Sequence, residues 1–182
     1  MSFVFYEPDP PSRVHHNIYI SGEEIANDWG WMMVVGITHI IDVGFHVSYR
    51  RFRPAERRNG MKLRGRYSFK LDDDRDEDIS VFFNPCIDFI NRAIAADPDG
   101  TRILVHCAAG ISRSVSIVMA WMIDTDNVTV ETALAKIRSQ RRVAGPNPGF
   151  IAQLKQFYKD PAHERFKYDC LRSGYLKSPE TD

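Results

Sequence analysis

The chain has 182 residues, of which 43% are apolar and 12% aromatic, enough to build one hydrophobic core of ordinary size. Lysine plus arginine equals aspartate plus glutamate at 24 each, so no large field of one sign is present to attract nucleic acid or a membrane surface. The three cysteines lack the close spacing of a disulfide framework or a zinc site, and no segment has the apolar length of a leader or a membrane span. We therefore expect a monomeric intracellular protein, cytoplasmic or also nuclear, that uses neither metal nor cofactor.

The first part of the chain predicts three strands. Residues 1–16 contain three of the ten prolines and are expected to be irregular. Apolar and β-branched residues then predict a strand at 17–20 and a second at 37–43, with room for one short helix between them. Alternation of apolar and polar residues predicts a third, half-buried strand at 67–71.

Two charged segments flank this third strand. Residues 50–66 contain eight basic residues against one acid, with Pro54 and two glycines, and they predict a basic surface loop. Docking of an acidic partner and a solvated insertion are both compatible with that pattern. Residues 72–78 contain six acidic residues and one arginine, and we call this segment the acidic loop.

The rest of the chain predicts helices around one buried strand. Apolar residues recur at helical spacing, and two pairs, Asn147-Pro148 and Asp160-Pro161, have the pattern of an N-cap followed by a first-turn proline. Strands interleaved with helices indicate an α/β fold with one domain. The predicted elements are a helix at 80–96, a strand at 102–107, a core helix at 113–124, a helix from Val130 ending in Arg141 and Arg142 as cations for its dipole, a helix from Asn147, and a last helix at 160–171.

Residues 106–114, His-Cys-Ala-Ala-Gly-Ile-Ser-Arg-Ser, lie between the buried strand and the core helix, and we call them the signature loop. A loop at a helix N-terminus directs several backbone N–H groups to one point, and Gly110 lets the chain turn tightly there, so the segment predicts an anion site. The helix dipole and the guanidinium of Arg113 both favour the thiolate form of Cys107. Arg113 also has the planar fork that binds two phosphate oxygens at once. An inert core cysteine is the alternative, but the nine residues together favour the anion site.

The signature loop resembles that of the protein tyrosine phosphatase superfamily, in the form found in dual-specificity phosphatases. Residues 36–42 resemble an early strand of that family, with Asp42 where asparagine is usual, and residues 146–154 resemble its Pro-Asn-x-Gly-Phe-x-x-Gln-Leu stretch. The resemblance covers about residues 13–158. It implies a central mixed, largely parallel sheet flanked by helices, in a catalytic domain that we place at 13–172 between flexible termini at 1–12 and 173–182.

The resemblance implies a protein phosphatase that acts on phosphotyrosine and on phosphoserine or phosphothreonine through a phosphocysteine. Cys107 would be the nucleophile and Arg113 the phosphate clamp, while Ser114 would steady the leaving thiolate. His106 is expected to orient the loop through hydrogen bonds, and Asn147 is interpreted as a helix cap, with a role in holding loops near the site as the alternative. The phosphate would be bound by Ala108, Ala109, Gly110, Ile111, Ser112 and Arg113.

The general acid and base is predicted in the acidic loop. In the family this carboxyl lies five residues before the Asp-Ile or Asn-Leu pair that opens the next helix, and ten before an aromatic residue. Counting back from Asp78 and from Phe83 gives Asp73 both times. Asp72 and Asp74 are the alternatives. The same carboxyl would donate a proton in the first step and accept one in the second.

The side chains of the signature loop also bear on the substrate. Ala108, Ala109, Ile111 and Ser112 are uncharged, whereas the inositol-lipid members of the superfamily carry lysines there, so a phosphoprotein is favoured. Only some 16 residues precede the first strand, which indicates a small atypical member without a rhodanese-like domain. A phosphopeptide-binding pseudophosphatase is the rival hypothesis, and the presence of nucleophile, arginine and acid favours the enzyme. Sulfurtransferases and arsenate reductases do not share the stretch at 146–154.

Overall fold

The computed structural model describes residues 9–44 and 63–159, and in them five strands form one sheet in the order β1-β2-β5-β3-β4. β1 pairs with β2 antiparallel, and the other neighbours are parallel. This arrangement confirms the predicted α/β fold with a mixed, largely parallel sheet. The strands are β1 (Ser12–Arg13), β2 (Ile18–Ser21), β3 (His39–Val43), β4 (Gly65–Phe69) and β5 (Ile103–His106).

Helices cover both faces of the sheet because side chains alternate along each strand. Leu104 and Ile40 point to the face covered by the first two helices, whereas Ile103, Val105 and Ile41 point to the face covered by the other four. The helices are α1 (Glu23–Ala26), α2 (Trp29–Val35), α3 (Phe83–Ala96, after a 3-10 turn at Ser80–Phe82), α4 (Arg113–Asp126), α5 (Val130–Gln140) and α6 (Pro148–Lys159).

α4 lies at the centre of the larger core. Its residues from Arg113 to Asp124 are all buried, which confirms the core helix predicted from its apolar surroundings. The indole N–H of Trp121 donates to the side-chain oxygen of Asn91 at 2.9 Å, so the helix is joined to α3 as well as packed against it. This burial fixes the N-terminus of α4, to which the signature loop is attached.

The structure differs from the predicted elements in two places. β1 was not predicted, because a two-residue strand that is defined by its pairing with Tyr19 and Ile20 leaves no alternating pattern in the sequence. Two short helices, α1 and α2, occupy the span where one was expected, since Asp28 caps a new helix by accepting from the Trp31 amide.

Some predicted features lie outside the described residues. They are most of the basic segment (50–62), the last helix (160–171), Cys170 and both predicted termini in large part. Among the helices of the described ranges, none combines the length and the apolar character needed to cross a membrane.

Candidate active site

The signature loop connects β5 to α4 and turns sharply at Gly110. This glycine has a φ of +68°, in the left-handed region that side chains disfavour. A Cβ at this position would lie 2.5 Å from the backbone carbonyl of Ser21. Glycine is therefore required both by the conformation of the turn and by the approach of β2.

The carbonyls of the signature loop are held away from its concave side. Ala108 accepts a hydrogen bond from the Glu23 amide at 2.9 Å. The Arg141 guanidinium donates to the carbonyl of Ala109 at 3.1 Å and to that of Gly110 at 2.7 Å. In a planar trans peptide the N–H points opposite to the C=O, so the amides that follow these carbonyls face the concavity. The first amides of α4 have no partner within the helix, and amides of a loop and of the helix start that follows it are the usual elements of an anion site.

Cys107 forms part of the wall of a pocket of about 110 Å³ at this concavity. The residue is largely covered, with 3% of its surface exposed, and it still contributes to the lining of the pocket. The sulfur lies 3.3 Å from the hydroxyl oxygen of Ser114. The pocket is lined by Glu23, Asp42, Gly44, His106, Cys107, Ala108 and Arg113.

Arg113 extends from the first turn of α4 into the same pocket. One terminal nitrogen, Nη1, donates to the carbonyl of Leu71 at 3.0 Å, which orients the guanidinium. Its Nε lies 3.9 Å from Oδ2 of Asp73 and has no hydrogen-bond partner in the described part of the chain, although the residue is only 7% exposed. A buried N–H group that lacks a partner is able to donate a hydrogen bond to an anion that enters the pocket.

The carboxylate that reaches the signature loop from the acidic loop is that of Asp73. Its Oδ1 accepts hydrogen bonds from the Ser112 hydroxyl at 2.6 Å and from the Asn147 side-chain amide at 2.8 Å. Asp74 instead accepts from the amide of Asp76 within its own loop. The geometry thus brings Asp73 next to the signature loop, and its role in proton transfer stays a prediction.

Asn147 performs both functions that the sequence left open. Its Oδ1 accepts from the Phe150 amide at 2.9 Å, which caps α6. Its side-chain N–H group donates to Asp73, and its backbone amide donates to the hydroxyl of Ser112 at 3.1 Å. One residue therefore joins α6 to the acidic loop through its side chain and to the signature loop through its backbone amide.

α6 also supports the acidic loop at two further points that sequence reasoning missed. A Cβ on Gly149 would overlap the carbonyl of Arg75, so the two backbones are in direct contact there. Gln153 donates to the carbonyl of Glu77 at 2.8 Å and accepts from the amide of Ser80 at 3.1 Å. The stretch at 146–154 is thus a platform for the loop that carries Asp73, and the glycine and glutamine within it were the available signal.

His106 is buried beside Asp42, its neighbour across the β3 and β5 strands. Burial, with a smaller contribution from the charge of Arg66, lowers the pKa of His106 to about 4. The imidazole is therefore neutral at neutral pH, and its 3.9 Å approach to Asp42 is not an ion pair. Within the described ranges its Nδ1 has no hydrogen-bond partner. The hydrogen bonds expected for this side chain are not seen, and its orienting role stays a prediction.

Arg141 is a further residue whose contact with the signature loop was not predicted from the sequence. It was interpreted as a cation suited to the dipole at a helix end, whereas it is only 2% exposed and its guanidinium lies against the signature loop. Nothing in the periodicity of α5 distinguishes it from the exposed Arg142. Of the remaining cysteines, Cys86 lies in the core as expected, where burial raises the pKa of its thiol.

Comparison with known proteins identifies the family of the chain. Residues 18–160 match the family model for the dual specificity phosphatase catalytic domain. The chain is 34% identical over 151 residues to dual specificity protein phosphatase 1B of Arabidopsis thaliana, with 81% of each chain covered. It is 31% identical over 156 residues to dual specificity protein phosphatase 1 of the same plant, covering 86% of this chain and 73% of that one.

Solved structures show the same fold. The crystal structure of DUSP15 superposes with a TM-score of 0.76 at 26% identity, over 92% of this chain and 98% of that one. The human tyrosine phosphatase-like serine/threonine/tyrosine-interacting protein gives a TM-score of 0.67 at 26% identity, over 81% of this chain and 94% of that one. From the family model, these relatives and the geometry of the pocket, the chain belongs to the dual specificity phosphatase family and is a protein phosphatase of the protein tyrosine phosphatase type.

Proposed function

We propose that this phosphatase hydrolyses phosphotyrosine and phosphoserine or phosphothreonine in proteins through a phosphocysteine on Cys107. The observation that carries the proposal is the placement of three groups relative to one another. Cys107 and Arg113 line one small pocket, and the carboxylate of Asp73 lies beside Arg113, with its Oδ2 3.9 Å from the Nε of that residue. A nucleophile, an anion clamp and a proton carrier are the parts that a two-step phosphoryl transfer needs.

In the first step the Cys107 thiolate attacks phosphorus, and the bond from phosphorus to the substrate oxygen breaks. The loop amides and Arg113 bind the equatorial phosphate oxygens, on which charge gathers. The leaving oxygen takes a proton from Asp73. Because Oδ1 of Asp73 already accepts two hydrogen bonds, the proton resides on Oδ2, the oxygen on the side of Arg113.

In the second step a water molecule attacks phosphorus, the bond from sulfur to phosphorus breaks, and the Asp73 carboxylate takes the proton of the water. The sulfur leaves as a thiolate. The hydroxyl of Ser114, 3.3 Å from the sulfur, is placed to donate a hydrogen bond to that developing charge. Inorganic phosphate then leaves the pocket.

The lining of the pocket supports a phosphoprotein substrate over a polyphosphorylated lipid. Ala108 adds no cation to the pocket, and Glu23 and Asp42 add carboxylates, so Arg113 is the cation among the lining residues. Further phosphate groups beside the reacting one would be repelled. Because the nucleophile must remain a free thiol, the proposal places the enzyme in a reducing compartment such as the cytoplasm, acting on signalling proteins as a monomer.

The proposal is tested by turnover of matched phosphotyrosine and phosphothreonine peptides. Cys107→Ser should abolish phosphate release while peptide binding persists, and Cys86→Ala is the matched control that keeps activity. Asp73→Asn should lower kcat by about 100-fold, the usual contribution of a general acid. Stoichiometric peptide binding by the wild-type protein without phosphate release would instead identify a phosphopeptide-binding protein. Wild-type rates in Cys107→Ser would refute the assigned nucleophile.

A further inference from the structure

The guanidinium of Arg141 is the most extensively bonded side chain around the signature loop. Its Nε donates to the carbonyl of Gly110 at 2.7 Å and its Nη2 to that of Ala109 at 3.1 Å. Its Nη1 donates to the carbonyl of Pro10 at 2.9 Å and to the Ser12 hydroxyl at 3.4 Å. All three nitrogens of one buried cation are therefore used to join the loop to the N-terminal segment around β1.

These contacts decide which way two peptide units of the loop face. Each carbonyl that Arg141 holds faces Arg141, so the N–H groups of Gly110 and Ile111 point away from Arg141, toward the concave side of the loop. A rotation of either peptide unit would place a carbonyl oxygen where a phosphate oxygen must bind, and would turn a donor into a repelling dipole. The outward carbonyl is thus a condition for anion binding.

A guanidinium is suited to this task in a way that an ammonium is not. Its planar fork reaches two neighbouring acceptors in fixed directions, and its charge strengthens each hydrogen bond. Because the charge is buried, the loss of an acceptor carbonyl by peptide rotation would leave a donor unsatisfied and would be costly. The loop is therefore held in one conformation whether or not an anion is bound.

We propose that Arg141 is a positioning residue that holds the signature loop in its anion-binding conformation before the substrate arrives. This inference rests on the proposed function for its biological meaning, but the anion affinity of the loop is measurable without turnover. Arg141 touches neither the phosphate nor the reacting atoms, and it acts through the amides of Gly110 and Ile111.

The test measures binding of tungstate, a tetrahedral oxyanion, by calorimetry in a Cys107→Ser background that forms no phosphocysteine. Arg141→Ala and Arg141→Lys should each raise the tungstate Kd at least tenfold. Methylguanidinium added to Arg141→Ala should restore part of the affinity by occupying the vacated space. Arg142→Ala, which removes the same charge from the exposed neighbour, should stay within twofold of the background protein.

Three outcomes would overturn the proposal. The first is a tungstate Kd for Arg141→Lys equal to that of the background protein, since charge alone would then suffice. The second is an equal loss of affinity in Arg142→Ala. The third is failure of both Arg141 variants to fold, which would assign Arg141 to the fold instead of the loop. Tungstate binding with no turnover in the wild-type enzyme would count against the proposed function only.

Discussion

The hydroxyl of Ser112 donates a 2.6 Å hydrogen bond to Oδ1 of Asp73, which lies 39 residues earlier in the chain. This bond joins the signature loop directly to the acidic loop. Asn147, at the start of α6, donates to the same oxygen at 2.8 Å. The carboxyl that we propose as acid and base is therefore fixed by two other elements through one of its oxygens, while the other oxygen lies 3.9 Å from the Nε of Arg113.

Removing the first of these bonds should impair proton delivery selectively. Ser112→Ala is expected to lower kcat by about tenfold for phenyl phosphate, the energetic equivalent of one charge-assisted hydrogen bond. The loss should be small for p-nitrophenyl phosphate, because its leaving oxygen needs little protonation. Steady-state rates with the two substrates, beside Ser139→Ala on the surface of α5 as control, provide the measurement. Equal losses on both substrates would contradict this role of Ser112.

The close contact between α6 and the acidic loop gives a second prediction. In Gly149→Ala the new methyl group overlaps the Arg75 carbonyl, so the loop that carries Asp73 must move. We expect kcat to fall by about 100-fold, the contribution of a general acid, while tungstate affinity changes little. Gly145→Ala is the matched control, because its Cβ would meet nothing closer than 3.8 Å. A normal kcat in Gly149→Ala would show that the loop tolerates the displacement.

Much of this arrangement was predictable from the sequence, since the β5 strand, the signature loop and the core helix α4 are continuous and strongly patterned. The count within the acidic loop also pointed to Asp73, and coordinates place that residue beside Arg113. Local patterns were less informative where a function depends on contact between distant segments. The hydrogen bond from Asn147 to Asp73 is one example, because an N-cap pattern in the sequence predicts only the bond between Asn147 and the Phe150 amide.

Arg141 shows the same limit more clearly. Helical periodicity treats it and Arg142 alike, as cations after the last turn of α5. Their difference arises from the packing of α5 against a loop 31 residues away and a strand near the N-terminus. β1 was missed for a related reason, since its pairing partner rather than its own two residues defines it.

Ser114 should control the second chemical step. In Ser114→Ala the leaving sulfur loses its hydroxyl partner at 3.3 Å, so hydrolysis of the phosphocysteine is expected to slow by about tenfold while its formation is little changed. Stopped-flow measurements with p-nitrophenyl phosphate should then show a burst of one nitrophenol per enzyme. Ser116→Ala is the control, since that hydroxyl bonds the carbonyl of Ser112 and not the sulfur. Absence of a burst in a slowed Ser114→Ala would place the effect in the first step.

The buried His106 should make stability depend on pH. Its pKa is about 4 in the folded protein against an ordinary value of 6.5, so the unfolded chain binds more protons between these values. The contribution of this pKa difference to the free energy of unfolding is fully present above pH 6.5 and is lost as the pH falls toward 4. The free energy of unfolding should therefore decrease by about 2 kcal/mol between pH 7.5 and pH 5. Urea unfolding at these two pH values should show a smaller decrease in the free energy of unfolding for His106→Gln than for the wild-type protein. Burial also lowers the pKa of His15 and His39, so part of the decrease should remain. An unchanged decrease in the variant would contradict the assignment to His106.

The narrow pocket in front of Cys107 has a consequence for how the thiol meets other reagents. Its volume of about 110 Å³ admits small reagents such as hydrogen peroxide or iodoacetate. Oxidation of this phosphatase by peroxide should therefore begin with a sulfenic acid on Cys107, which a thiol can then convert to a disulfide.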